Sequence, residues 1–191
     1  KTLTALQIKE KMKTKKTLYL LPSLNLINQT IKEWVSFSSL YFKPLCVCSD
    51  PSSSRVIENK DRWIFSKQDI GIPVLNSPEN IHDYLKSEKN YVIFCTYQSS
   101  NLIYQAQNKG LLQDFDITFC DEAHNCAGNG FKRSGLILDE TAIKSKKRLF
   151  MTATPLNIDQ KIKEKAYKKN IDISSMDDTE KFGKVFHTLS F

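Results

Sequence analysis

Residues 115–124 read FDITFCDEAH. An apolar run of strand length ends in two consecutive carboxylates, Asp121 and Glu122, with His124 close behind. Short apolar runs bounded by polar residues are the mark of buried strands. The spacing therefore predicts a strand over 115–120 that hands its acidic residues to the loop that follows. Metal-assisted nucleotide hydrolysis needs such a pair. Asp121 can hold magnesium, directly or through water. Glu122 can orient and deprotonate the attacking water. Two acidic residues that merely open a loop are common, but four residues in this order straight after an apolar strand make that reading less attractive.

About thirty residues further on, a second apolar run ends in RLFMTATP (148–155). Thr152 and Thr154 fall at a strand's carboxyl end. Their hydroxyls can relay hydrogen bonds from a nucleotide site to another surface. Alone the tripeptide is weak; paired with the carboxylates it is strong.

The remaining chain alternates in the same way. A helix is expected over 3–13, with Leu3, Leu6, Ile8 and Met12 as a rough apolar face. A strand follows over 17–21 (TLYLL), then a helix over 24–37 through Leu24, Ile27, Ile31 and Trp34. Further strands are expected at 45–48 and 91–95, and a helix at 102–107. Ser77 and Pro78 look like the N-cap and first position of another helix, after a turn in IGIPVLN. The polar stretch SDPSSSRVIENKDR (49–62) reads as a loop or mobile insertion. Strands alternating with helices predict an α/β fold with a mainly parallel sheet. In such sheets ligands bind beyond the carboxyl ends of the strands.

Composition sets the outer limits. With 191 residues, 40% apolar and 26% charged, the chain has the size and balance of one globular domain. No apolar run approaches membrane-spanning length, so a soluble, cytoplasmic protein without a membrane partner is expected. The five cysteines, Cys46, Cys48, Cys95, Cys120 and Cys126, read as buried reduced thiols. Cys120, His124 and Cys126 lack a second ligand pair, so zinc is not expected. The formal charge is +7, with basic flanks around a more acidic middle. That would suit a polyanion, although solvated Lys-rich helix faces such as KIKEKAYKK (161–169) account for the charge on its own.

CDEAH followed by MTATP resembles the first motor lobe of superfamily 2 helicases and translocases, RecA-like ATPases that move on nucleic acid. Asp121–His124 match their motif II, and Thr152–Thr154 their motif III. LLPSLNLINQT (20–30) is similar to motif Ia, where such lobes grip the nucleic-acid backbone, and FCTYQS (94–99) to a second backbone contact. More narrowly, the order of VCSD, IGIPV, SPENI, TYQS, CDEAH, KRLFMTATP and MDDTEKFGKVFHTLSF resembles the motor of type ISP restriction–modification enzymes. In those enzymes a nuclease, a DNA translocase, a methyltransferase and a target-recognition domain are fused. The chain departs from the pattern at Asn125 and Cys126, where Arg and Thr are expected, and VLNSPEN lacks a usual pair of Thr.

The resemblance implies a RecA-like P-loop lobe using ATP and Mg2+. The catalytic residues would be Glu122, Asp121 and His124, and Thr152 and Thr154 would line the nucleotide site. Lys1 and Thr2 match the last two residues of a phosphate-binding loop. Lys1 would contact the β/γ-phosphates, and Thr2, with Asp121, the magnesium. On this pattern the chain is truncated at its N-terminus and starts inside that loop. The strand feeding the loop would lie between the strands at 116–120 and 148–151, so that without it each loses a partner. Residues 1–171 would be the lobe, and 172–191 a segment leading toward a second lobe. The 191 residues alone would then hydrolyse ATP negligibly.

Ser23, Asn25, Gln29, Thr96, Tyr97 and Gln98 are the candidate nucleic-acid contacts, through phosphates rather than bases. Capping and turn chemistry explains the same residues. For Ser23 the two readings are equal and compatible. Trp34 and Trp63 read as packing residues, and His82 and His187 as structural or exposed. The leading function is the DNA-translocating motor of a restriction system. The alternatives are an RNA helicase lobe, or an inactive nucleic-acid-binding remnant.

Overall fold

The computed structural model describes residues 1–48, 72–129, 133–171 and 173–188. The stretch 49–62 and Trp63 lie outside the described residues. The elements run α1 (Thr2–Lys11), β1 (Lys16–Leu21), α2 (Leu24–Phe37), β2 (Lys43–Val47), β3 (Val74–Leu75), α3 (Pro78–Leu85), β4 (Tyr91–Thr96), α4 (Ser100–Asn108), β5 (Ile117–Asp121), β6 (Gly128–Asn129), β7 (Arg148–Met151), α5 (Gln160–Tyr167), β8 (Ile173–Ser174) and α6 (Thr179–Phe182). Six strands form one sheet in the order β3-β2-β4-β1-β5-β7, and all neighbouring strands in it pair in parallel. This is the RecA-like α/β fold. Within the stretch expected to contain a turn, Val74–Leu75 form the short edge strand β3.

Strand periodicity divides the core in two. Leu18 and Leu20 of β1, Ile93 and Cys95 of β4 and Cys120 of β5 point to one face, against Ile81 and Leu85 of α3 and Ile103 and Ala106 of α4. Tyr19, Leu21, Val92, Phe94 and Phe119 point to the other, against α1 and α2. Burial on both faces is why these strands read as continuous apolar runs. The second layer is aromatic. The fully buried Trp34 lies 5.3 Å from Tyr19, 5.6 Å from Phe94 and 6.0 Å from Phe119, centroid to centroid. Such pairs stabilise by about 0.5–1.5 kcal/mol each beyond area burial.

Helix starts follow local chemistry. Ser77 Oγ accepts the Asn80 N–H at 3.2 Å, with Pro78 opening α3. Ser23 Oγ accepts the Leu26 N–H at the start of α2. The buried face of α1 differs from the sequence pattern: Ala5, Leu6 and Lys9 are buried, whereas Leu3 and Met12 are exposed. The i, i+4 pair Ala5–Lys9 faces the sheet. The Lys9 amine reaches the Thr14 carbonyl at 3.3 Å and Asn90 Oδ1 at 3.4 Å. Burial holds its pKa below the ordinary lysine value.

One expectation is overturned. β5 and β7 are not separated by another strand; they pair directly, from Thr118 with Arg148 to Asp121 with Met151. The Phe115–Ser145 bridge, with Phe115 N–H on the Lys144 carbonyl and Lys146 N–H on that of Phe115, sets this register before the strands begin. β5 is buried throughout, while all four residues of β7 are half-buried, as its place at the end of the strand order requires. After β7 the chain folds back: β8 pairs antiparallel with β6, and Phe182 of α6 packs on Phe150 at 5.1 Å. No helix among the described residues is long and apolar enough to cross a membrane.

Candidate nucleotide and nucleic-acid site

β5 ends on Asp121, which is 6% exposed. Glu122 then takes the left-handed conformation, φ 48° and ψ 51°. That region costs a non-glycine residue about 1–2 kcal/mol, so its neighbours must hold it. Asp121 Oδ1 accepts the Glu122 N–H at 2.9 Å. Asn125 Nδ2 donates to the Glu122 carbonyl at 2.8 Å. Tyr97 Oη donates to the Asp121 carbonyl at 2.8 Å. The reversal ends the strand and leaves the Glu122 side chain half-exposed beyond the sheet.

Lys1 meets both carboxylates. Its Nζ hydrogen-bonds Glu122 Oε1 and lies 3.6 Å from Asp121 Oδ1. The aromatic layer sets this placement, because Trp34 Nε1 donates to the Thr2 carbonyl at 3.1 Å and so fixes the first turn of α1. Thr2 follows Lys1 as the first residue of that helix and is half-buried.

His124 joins the two motifs. Its Nδ1 lies 3.0 Å from Thr152 Oγ1, 3.4 Å from Thr154 Oγ1 and 3.5 Å from Glu122 Oε2. Thr152 Oγ1 also accepts the Thr154 N–H at 3.1 Å. Lys1, Asp121, Glu122, His124, Thr152 and Thr154 thus form one linked group beyond the carboxyl ends of β5 and β7. Thiol chemistry does not compete there. Burial pushes the Cys120 thiol well above its ordinary value, and Cys126 to about 12.

The second candidate surface lies beyond β1 and β4. Ser23, Asn25 and Gln29 are exposed on the first turns of α2, and Gln29 Nε2 donates to Glu33 Oε1 at 2.9 Å. After β4, Gln98 is exposed but Thr96 and Tyr97 are each 3% exposed. Thr96 Oγ1 donates to Ser99 Oγ at 2.9 Å, and the Tyr97 hydroxyl is held by Asp121. This corrects the expectation that Thr96 and Tyr97 offer side chains to nucleic acid; their hydroxyls are taken up inside the fold. Sequence reasoning also missed Asn125, noted only as a departure from a pattern. The available signal was an Asn three residues after Glu122, a residue type that closes turns on nearby carbonyls.

The fold and this group of side chains define a superfamily 2 helicase lobe. The chain belongs to the ResIII family, described as type III restriction enzyme, res subunit, which matches residues 1–157. A probable helicase of African swine fever virus is 30% identical over 142 residues, covering 73% of this chain and 14% of the viral protein. A nuclease-deletion mutant of the type ISP restriction–modification enzyme LlaGI, in complex with a DNA substrate mimic, is similar with a TM-score of 0.73 at 30% identity, over 98% of this chain and 14% of that one. The ATP-dependent type ISP enzyme LlaBIII, bound to DNA, gives a TM-score of 0.72 at 30% identity, over 97% and 13%. The chain therefore spans about one seventh of the length of these relatives.

Proposed function

We propose that this chain is the first motor lobe of an ATP-dependent nucleic-acid translocase, acting on DNA within a cytoplasmic restriction–modification protein. Residues 1–171 form the lobe on this reading, and 172–191 lead toward a second RecA-like lobe. The observation that carries the reading is the Lys1 ammonium lying against the Asp121 and Glu122 carboxylates, with His124 tying them to Thr152 and Thr154. An ammonium, two carboxylates and a neighbouring hydroxyl fit a magnesium nucleotide. Asp121 and Thr2 would hold the magnesium, and Lys1 the phosphates. The metal's contribution is to neutralise charge on the phosphate oxygens.

Glu122 orients a water molecule and accepts its proton. The left-handed backbone, fixed by Asn125, sets where that carboxylate reaches. His124 carries the state of the site to Thr152 and Thr154, and from there toward the second lobe. Ser23, Asn25, Gln29 and Gln98 track phosphates, so contact is independent of sequence and weakens with salt.

The test is ATP hydrolysis by the protein that carries this lobe, with duplex DNA and then RNA added. Stimulation by DNA is expected. Stimulation by RNA alone would make it an RNA helicase lobe. Nucleic-acid binding with no hydrolysis under either condition would favour the inactive remnant.

A further inference from the structure

We propose that Tyr97 is a positioning residue, a strut that transmits nucleic-acid contact at the turn after β4 to the acidic box after β5. The inference rests on the motor reading above. Gln98 and Tyr97 are adjacent and differ sharply in exposure: Gln98 is exposed, whereas Tyr97 is buried and crosses the interior to donate to the Asp121 carbonyl at 2.8 Å. In the sheet, β1 lies between β4 and β5, so no ladder joins the two ends directly. The phenol bridges that gap.

Each end of the strut suits the task. The turn is braced, because Thr96 Oγ1 donates to Ser99 Oγ at 2.9 Å and Ser100 Oγ donates to the Tyr97 carbonyl at 2.7 Å. A force on Gln98 therefore moves Tyr97 with it instead of being absorbed locally. The receiving peptide adjoins Glu122, whose left-handed backbone persists only while neighbours hold it. Burial raises the Tyr97 pKa well above the ordinary value, so the hydroxyl remains a donor at any physiological pH. The Cys126 thiol is also a hydrogen-bond neighbour of that hydroxyl. Nucleic acid that settles on the turn thus steadies the Asp121 carbonyl, and with it the reach of the Glu122 carboxylate.

Tyr97→Phe removes the hydroxyl and keeps the ring. In the protein that carries this lobe, nucleic-acid-stimulated kcat should fall about tenfold. The nucleic-acid concentration for half-stimulation should stay the same. Unchanged stimulated kcat overturns the strut. So does weakened half-stimulation at unchanged kcat, which would put Tyr97 on the nucleic acid. Equal losses with and without nucleic acid mark a purely structural role and also overturn it. A wild type whose hydrolysis ignores nucleic acid sinks the motor reading itself. Amide hydrogen exchange then tests the strut separately. Adding a duplex oligonucleotide should slow exchange at residues 122–126 in the wild type but not in Tyr97→Phe. The same response in both proteins, or none in the wild type, overturns the strut.

Discussion

Asp116 and Asp121 stand at opposite ends of one strand, and their partners differ in kind. Asp116, just before β5, accepts the backbone N–H groups of Lys15 and Lys16 at 3.0 Å each, and Lys146 Nζ at 2.8 Å. Burial works to raise its pKa, yet these donors outweigh it and hold the carboxyl down at about 2. Asp121, at the strand's last residue, accepts the neighbouring Glu122 N–H and has the Lys1 ammonium 3.6 Å away. One carboxylate is tied by main-chain donors that cannot leave without opening the amino ends of two central strands. The other faces a cation on a flexible side chain that can turn to a different anion. The first holds the amino ends of β1 and β5 together, and the second is available for chemistry.

The largest expected effect tests the chemical end. Glu122→Gln, in the protein that carries the lobe, should slow hydrolysis by roughly 100-fold or more while leaving nucleotide binding intact, because the amide cannot take the proton. Single-turnover hydrolysis beside equilibrium nucleotide binding separates the two quantities. Lost binding in a normally folded variant would take Glu122 out of this role.

Asp116→Asn should do the reverse. Stability should drop by about 1–2 kcal/mol, around the lower end of the range for hydrogen bonds to a charged group, because the carboxylate is partly screened by water. Stimulated hydrolysis should change little in comparison. Urea denaturation read beside the ATPase assay would break the comparison if the two changes fell on the same variant.

The pH dependence sharpens it further. The folded pKa of Asp116 lies below its unfolded value, so the folded state prefers the ionised form. Its stabilisation is complete above about pH 4 and is lost as pH falls toward 2. The stability gap between wild type and Asp116→Asn should therefore be constant from neutrality to about pH 5 and close below that. A gap that widened in acid would contradict the assignment.

The smallest effect concerns the same division of labour after β1. Ser23→Ala should cost about 1 kcal/mol as a lost N-cap. Nucleic-acid affinity measured across a salt series tells whether Ser23 also touches phosphate. An unchanged salt slope leaves it a cap alone.

Much of this was legible in the sequence. β7 was bounded to the residue, and Ser77 and Pro78 opened α3 as expected, because apolar runs and caps are local signals. Motif resemblance, not local chemistry, pointed to Lys1 as a phosphate ligand; its contact with Glu122 emerges only in the fold. The direct β5–β7 pairing was misread, since strand order depends on which edges meet and leaves no local trace. The inward turn of Thr96 and Tyr97 is not legible in sequence, because a polar side chain after a strand looks the same whether it turns out or in.

The sequence by itself determined the alternation of strands and helices, the apolar runs that make β1, β4 and β5 buried strands, and the carboxylates at a strand end. These follow from periodicity and residue type over a few positions. Only the tertiary structure decided that Asp116 is tied to the sheet while Asp121 faces the Lys1 ammonium, that Trp34 fixes the turn carrying Lys1, and that Tyr97 reaches across β1 to the acidic box. Each of those depends on a donor brought from a distant part of the chain, and the packing of the sheet and its two helical layers selects that donor.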